Sequence, residues 1–207
     1  MSSSIQKTIV YIDGFNLYYG LRARKWYQYL WLDLYDLAKR VSPEGAPLHR
    51  VKYFTSWNSY PPEKFVRQKT FITALQSVSP IEVVLGKYSK RPYNFPDTGC
   101  VHKIPKEKFT DVNISVNVIA DAFEAESTHI VLISGDMDQV PTLQFIHSRF
   151  PDKFVRVVFP PERLSDDLAA SANDSFMLSE SLLKRSLLPN PVVKKNGKKI
   201  FKPDTWS

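Results

Sequence analysis

One cysteine, Cys100, stands among 207 residues, so no internal disulfide can form and the chain suits a reducing compartment. The opening residues, Met1-Ser-Ser-Ser-Ile-Gln-Lys7, lack the apolar core of a secretion signal, and no apolar run approaches the roughly 20 residues that span a bilayer. A cytoplasmic protein without membrane contact is therefore expected. Three further signatures are missing: the G-x-S-x-G nucleophile elbow, the G-x-x-x-x-G-K-[ST] phosphate loop and the H-E-x-x-H zinc pair. Their absence removes the corresponding hydrolase, nucleotide-binding and zinc-peptidase chemistries. Cys100 and His102 alone are too few ligands for zinc. No internal repeat is present.

What remains is an ordinary globular composition, 43% hydrophobic and 24% charged, enough for one domain with a sizeable core. The net charge of +7 is unevenly placed. Lys184, Arg185, Lys194, Lys195, Lys198, Lys199 and Lys202 against Asp204 put +6 of it after residue 183. A domain over 1–188 with a basic tail over 189–207 is the expected organisation. Such a tail either holds a polyanion's phosphates or is a solvated, partly disordered extension.

The acids are more informative. Thr8-Ile9-Val10-Tyr11-Ile12 reads as a buried strand that ends at Asp13-Gly14-Phe15-Asn16. Gly14 suits the sharp turn and Asn16 a helix N-cap. His129-Ile130-Val131-Leu132-Ile133 reads the same way and runs into Ser134-Gly135-Asp136-Met137-Asp138. Asp111 falls at the start of a helix whose apolar pattern is Val112, Val116, Ile119, Ala120 and Phe123. Carboxylates at two strand ends and one helix start can converge on one rim of a parallel sheet, where ligands bind. Like charges that close repel unless a cation sits among them, and an all-oxygen ligand set suits Mg²⁺ or Mn²⁺.

Asp13-Gly-Phe-Asn16, Asp111-Val-Asn-Ile with Asp121 ten positions on, and Ser134-Gly-Asp-Met-Asp138, in that order, resemble the NYN domains over about residues 8 to 180. The resemblance implies a PIN-like, Rossmann-like three-layer sandwich and a metal-dependent ribonuclease acting on nucleic acid, single-stranded RNA above all. It carries Asp13, Asp111, Asp136 and Asp138 over as metal ligands, with Asn16 in the catalytic group. Many relatives have an acid where this chain has Asn117, so Asp121, on nearly the same helical face, is the candidate fourth carboxylate. Such a site would hydrolyse a phosphodiester by activating a water and neutralising charge on the phosphate, leaving a 5′-phosphate and a 3′-hydroxyl. Ser134 would position Asp136, and Asn117 would face substrate.

Along the chain, strands near 8–12, 49–56, 81–86, 129–133 and 154–159 alternate with helices near 32–41, 61–78, 110–125 and 141–149. That order predicts a mainly parallel five-stranded α/β sheet. Asn173-Asp174-Ser-Phe176 reads as a turn, with helices before it (164–172) and after it (180–188). Arg22, Arg24 and Lys25 interleave with Tyr18, Tyr19, Trp26, Tyr27, Tyr29 and Trp31, a mixture that suits either base stacking or core packing. The stretch 87–108 carries Pro92, Pro96, Pro105 and many cations, Lys103, Lys106 and Lys108 among them. It reads as a long basic connection lying over the acids as a substrate flap.

Each acid also has a plain structural reading, as turn former, helix cap or solvated residue. Two functional rivals stand beside the nuclease: an inactive nucleic-acid-binding module on the same fold, and a haloacid-dehalogenase-type phosphatase. The second is disfavoured because Phe15 occupies the position of that family's general-acid aspartate. Homo-oligomerisation is left open.

Overall fold

The computed structural model describes residues 7–57, 61–94, 101–124 and 127–206, with only the backbone described over 89–94 and 101–107. Eight strands and seven helices carry the architecture. The strands are β1 (Thr8–Asp13), β2 (Leu48–Thr55), β3 (Glu82–Leu85), β4 (Lys87–Asn94), β5 (Val101–Lys108), β6 (His129–Ile133), β7 (Phe154–Phe159) and β8 (Asp174–Met177). The helices are α1 (Gly14–Ala23), α2 (Leu34–Val41), α3 (Pro62–Val78), α4 (Thr110–Phe123), α5 (Val140–Arg149), α6 (Asp166–Ala170) and α7 (Glu180–Arg185). Two two-residue strands, β9 (Val192–Val193) and β10 (Lys199–Ile200), and a 3-10 turn, Asp204–Trp206, follow.

The main sheet has six strands in the order β3-β2-β1-β6-β7-β8, all parallel. Strand order reverses between β1 and β6, so their carboxyl ends flank the crevice where open α/β sheets take ligands. β1 is buried along its whole length, and its alternation divides two cores. Val10 and Ile12 pack with α1, α2 and α3 on one face. Ile9 and Tyr11 pack with Ile114 and Val118 of α4 and with Leu143 and Ile146 of α5 on the other. That is the three-layer sandwich the sequence implied.

Local chemistry explains the helix entries. In α2, Leu34, Leu37, Ala38 and Val41 form a buried i, i+3, i+4, i+7 stripe. Asp33 caps it by accepting from the Tyr35 and Asp36 amides. With Leu37 fully buried, truncating it to alanine would cost about 2–5 kcal/mol.

Four expectations are corrected. The sheet has six strands rather than five, because residues 174–177 pair with β7 instead of turning. This edge strand is held through the ion pair of Arg156 Nε with Asp174 Oδ2 (2.7 Å) rather than by an apolar stripe. Residues 87–108 form the antiparallel ribbon β4–β5, running from Lys87 opposite Lys108 to Asn94 opposite Val101. Its prolines are tolerated because a two-stranded ribbon has two free edges. In α4 the face that packs inward is Ile114, Val118 and Ala122, whereas Val112, Val116 and Phe123 are exposed. Lastly, the tail folds back: Val192 and Trp206 lie in the first core, where the Trp206 ring meets Trp31 and Phe71. Tyr29 and Trp31 are buried there too, so those two aromatics serve packing.

Candidate metal centre at the sheet rim

Asp13 ends β1 and caps α1, its Oδ1 accepting the Asn16 amide at 3.0 Å. Asn16 is thus inside the helix rather than its cap. Its side chain has another task, since Asn16 Oδ1 accepts the Gly135 amide at 3.0 Å and ties the two strand-end turns together. Ser134, fully buried, donates from Oγ to Asp13 Oδ2 (3.0 Å) and accepts the Asp136 amide (3.1 Å). One hydroxyl therefore fixes both carboxylate-bearing turns. Asp136 in turn accepts the Asp138 amide at 3.0 Å and caps a short 3-10 turn, Met137–Gln139.

Asp111 reaches the same rim from the other side. Phe109 takes a left-handed backbone (φ 79°) that swings the chain off the ribbon into α4, with Asp111 in the first helical turn. Buried Gln139 anchors that turn. It donates from Nε2 to the Asp111 carbonyl (3.2 Å) and accepts from Ser115 Oγ (3.2 Å).

The outcome is a cluster of three carboxylates, Asp13, Asp111 and Asp136, each with an oxygen within 4.8 Å of the others. An Mg²⁺ ion bonded at about 2.1 Å sets its ligand oxygens about 3 Å apart when adjacent and about 4.2 Å apart when opposite, a span these three carboxylates can bridge by side-chain rotation. The donor set is hard oxygen throughout, which fits Mg²⁺ or Mn²⁺. Burial raises the Asp13 pKa to about 6, and the charge of Asp136 adds to the rise against the Asn16 amide and Ser134 hydroxyl, which lower it. A divalent cation between these groups would reverse that shift.

The cluster opens into a cavity of about 290 Å³ whose wall includes Phe15, Tyr19, Tyr88, Thr110 and Arg163. Tyr88, at the foot of the ribbon, meets Phe15 edge-on at 6.1 Å, so the base of the expected flap does border the acids. Arg163 escaped the sequence reading. Its Nε is buried with no hydrogen-bond partner, and no ion pair engages it among the described residues. Its position depends on two glycines: a Cβ on Gly135 would lie 1.8 Å from the Arg163 carbonyl oxygen, and one on Gly20 would lie 3.2 Å from Arg163 Cγ. The signal was weak, one arginine after Pro160-Pro161 with no motif of its own. Gln139 was equally hidden.

Other expected residues lie elsewhere. Asp138 is exposed and outside the group of three. Asp121 is buried and occupied: Lys52 Nζ lies 2.8 Å from its Oδ2, Arg50 approaches Oδ1 at 3.7 Å, and Tyr11 donates to Oδ2 at 2.7 Å. Asn117 Oδ1 accepts from the same Lys52 at 2.8 Å. Asp121 shares a helical face with Asn117, but ten residues from Asp111 is about 15 Å along a helix, which carries it well below the rim. Arg22 and Arg24 are displaced for the same reason, at the far end of α1. Arg24 pairs with Glu162 (2.8 Å) and Arg22 lies over the Tyr18 ring. Lys108 is half-buried beside the entry to α4. The Lys103 and Lys106 side chains, together with Cys100, fall outside the described residues.

A parallel α/β sheet with an acid cluster at its switch point defines a PIN-like nuclease fold. The family described as the NYN domain matches residues 7–180, and the chain belongs to that family. It is similar to the 6-hydroxy-3-succinoylpyridine 3-monooxygenase HspA of Pseudomonas putida (strain DSM 28022 / S16), 27% identical over 195 residues. That alignment covers 77% of this chain, and the chain spans only 61% of the relative's length. A crystal structure of a protein of unknown function from Vibrio parahaemolyticus RIMD 2210633 shares the fold, with a TM-score of 0.62, 23% identity, and coverage of 91% of this chain and 99% of that one. No helix among the described residues is long and apolar enough to cross a membrane.

Proposed function

We propose that the protein is a metal-dependent ribonuclease that hydrolyses phosphodiester bonds of single-stranded RNA at the Asp13–Asp111–Asp136 cluster. The observation that carries this reading is the convergence of three carboxylates from three segments on one cavity. Asp13, Asp111 and Asp136 would hold Mg²⁺ or Mn²⁺, and Asp138 serves in the turn instead. When bound, the ion supplies an activated water and charge neutralisation at the phosphate. The chain's own residues do the rest. Ser134 and Asn16 hold the two strand-end turns in register, so that carboxylates far apart in sequence meet. Gln139 fixes the start of α4. Arg163, which lines the same cavity, would donate to a non-bridging phosphate oxygen. The products carry a 5′-phosphate and a 3′-hydroxyl.

The test is incubation of the protein with labelled single-stranded RNA and Mn²⁺ beside an Asp136→Asn control. Cleavage by the wild type, lowered at least about a hundredfold in the variant, is the expected result. Equal cleavage by both would assign the activity to a contaminant. RNA retained in EDTA without any cleavage would assign the fold to binding alone.

A further inference from the structure

A second cavity lies beside the acid site and shares its Phe15 and Tyr19 walls. It opens between α1 and α3, is apolar inside, and has Lys64, Arg67 and Gln68 of α3 among its lining residues. Trp206, brought back by the folded tail, belongs to its wall. Gln68 is held by Thr55 and Ser56, its Nε2 donating to Thr55 Oγ1 (3.0 Å) and to the Ser56 carbonyl (2.9 Å). Lys64 and Arg67 form no ion pair among the described residues, although α3 carries Glu63 next to them. Two uncommitted cations beside an apolar, aromatic-walled hollow call for a flat ring with a negative charge attached.

We infer that this cavity takes the single-ring base of a pyrimidine nucleotide adjacent to the phosphate held at the acid site, with Lys64 and Arg67 on the nucleotide's own phosphate. The inference deepens the nuclease reading by naming the base it selects. Size argues for one ring: the cavity measures about 80 Å³, against roughly 150 Å³ for an apolar cavity that encloses benzene. Either ring enters only partway through the open mouth, and the wider fused purine less deeply than a six-membered ring. Continuity argues for a nucleotide. Phe15 and Tyr19 form one wall of each space, so a base in the apolar cavity leaves its neighbouring phosphate at the carboxylates. Stacking on such walls is tolerant of sequence, and discrimination here comes from depth.

The experiment titrates full-length protein in EDTA with uridine 5′-monophosphate, adenosine 5′-monophosphate and 6-hydroxynicotinate, following heat and tryptophan emission. Expected is saturable uridine monophosphate binding that quenches Trp206, the quench vanishing in Trp206→Phe, and roughly tenfold or weaker binding of the adenosine nucleotide. The double variant Lys64→Glu/Arg67→Glu, which reverses the two half-buried cations at the cavity, should lose about tenfold in affinity or more. Equal binding of both nucleotides, no binding, or preference for the pyridine acid overturns the proposal, the last assigning the cavity to small aromatic acids. The arms separate this inference from the nuclease reading. Uridine monophosphate binding without RNA cleavage would sink only the nuclease, and cleavage indifferent to base would sink only the pyrimidine cavity.

Discussion

Replacing Asp13 by asparagine should make the metal-free protein more stable, although it removes a hydrogen-bonding carboxylate. Asp13 is 3% exposed, and burial lifts its pKa from 3.8 to about 6. An acid whose folded pKa lies above its unfolded one destabilises the fold once it ionises. The cost is absent below about pH 4, grows between pH 4 and 6, and is complete above that. A shift of roughly two units corresponds to about 3 kcal/mol. Asparagine is isosteric and neutral, its Oδ1 still accepts the Asn16 amide, and its Nδ2 can donate to Ser134 Oγ. In a chain of this length 1 kcal/mol is worth about 2–4 °C. Asp13→Asn should therefore melt roughly 6–12 °C higher than wild type in EDTA at pH 7.5, with the difference gone near pH 4. Adding Mn²⁺ should raise the wild-type Tm and leave the variant's unchanged. Scanning calorimetry at both pH values, with and without Mn²⁺, measures all four quantities. A variant that melts at or below the wild type in EDTA at pH 7.5 would show that Asp13 is well solvated and would refute the electrostatic reasoning.

Two further outcomes follow from the same geometry. Lys52→Met leaves the buried Asp121 with only Tyr11 and the more distant Arg50 and should cost about 2–4 kcal/mol in urea unfolding, while Mn²⁺ affinity by calorimetry stays within about twofold because the site is distant. Arg163→Ala should fold normally yet bind single-stranded RNA more weakly, with the slope of log K against log salt falling by about 0.7, one phosphate contact; an unchanged slope would remove Arg163 from the phosphate path.

The strands on either side of the switch point were legible because burial on both faces leaves an uninterrupted apolar run, as in Ile130-Val131-Leu132-Ile133. β8 was not, since an edge strand held by Arg156 and Asp174 spells Asn-Asp-Ser, the vocabulary of a turn. The ribbon β4–β5 stayed hidden because its prolines and many cations carry no apolar alternation. Trp206 lies five residues after the last apolar cue, Phe201, in a lysine-rich segment, where charge masked its anchoring role. Within the site, carboxylates at element ends could be read from order and spacing. Depth could not: helical periodicity says which face Asp121 occupies and nothing about how far down the sheet it sits. Arg163 and Gln139 depend on loops whose close approach at Gly135 no local pattern announces.

The two buried acids among the described residues, Asp121 and Asp13, argue against each other's explanation. Asp121 shows how the fold neutralises a carboxylate meant to stay: Lys52 and Tyr11 reach it at hydrogen-bond distance, Arg50 stands near, and β2 supplies both cations from a strand directly beneath α4. At the rim the same sheet brings Asp13 and Asp136 together without an ion pair to either among the described residues, under amide and hydroxyl donors alone. Those neutral donors do not offset burial, as the raised Asp13 pKa shows. Arg163 lines the same cavity, packed against Gly20 and Gly135, and forms no ion pair with Asp13 or Asp136 among the described residues. A fold that needed only stability had the means, one helix length away, to close this charge. It leaves the carboxylates and the arginine on the wall of one open cavity of about 290 Å³ instead, as the proposed reaction would require.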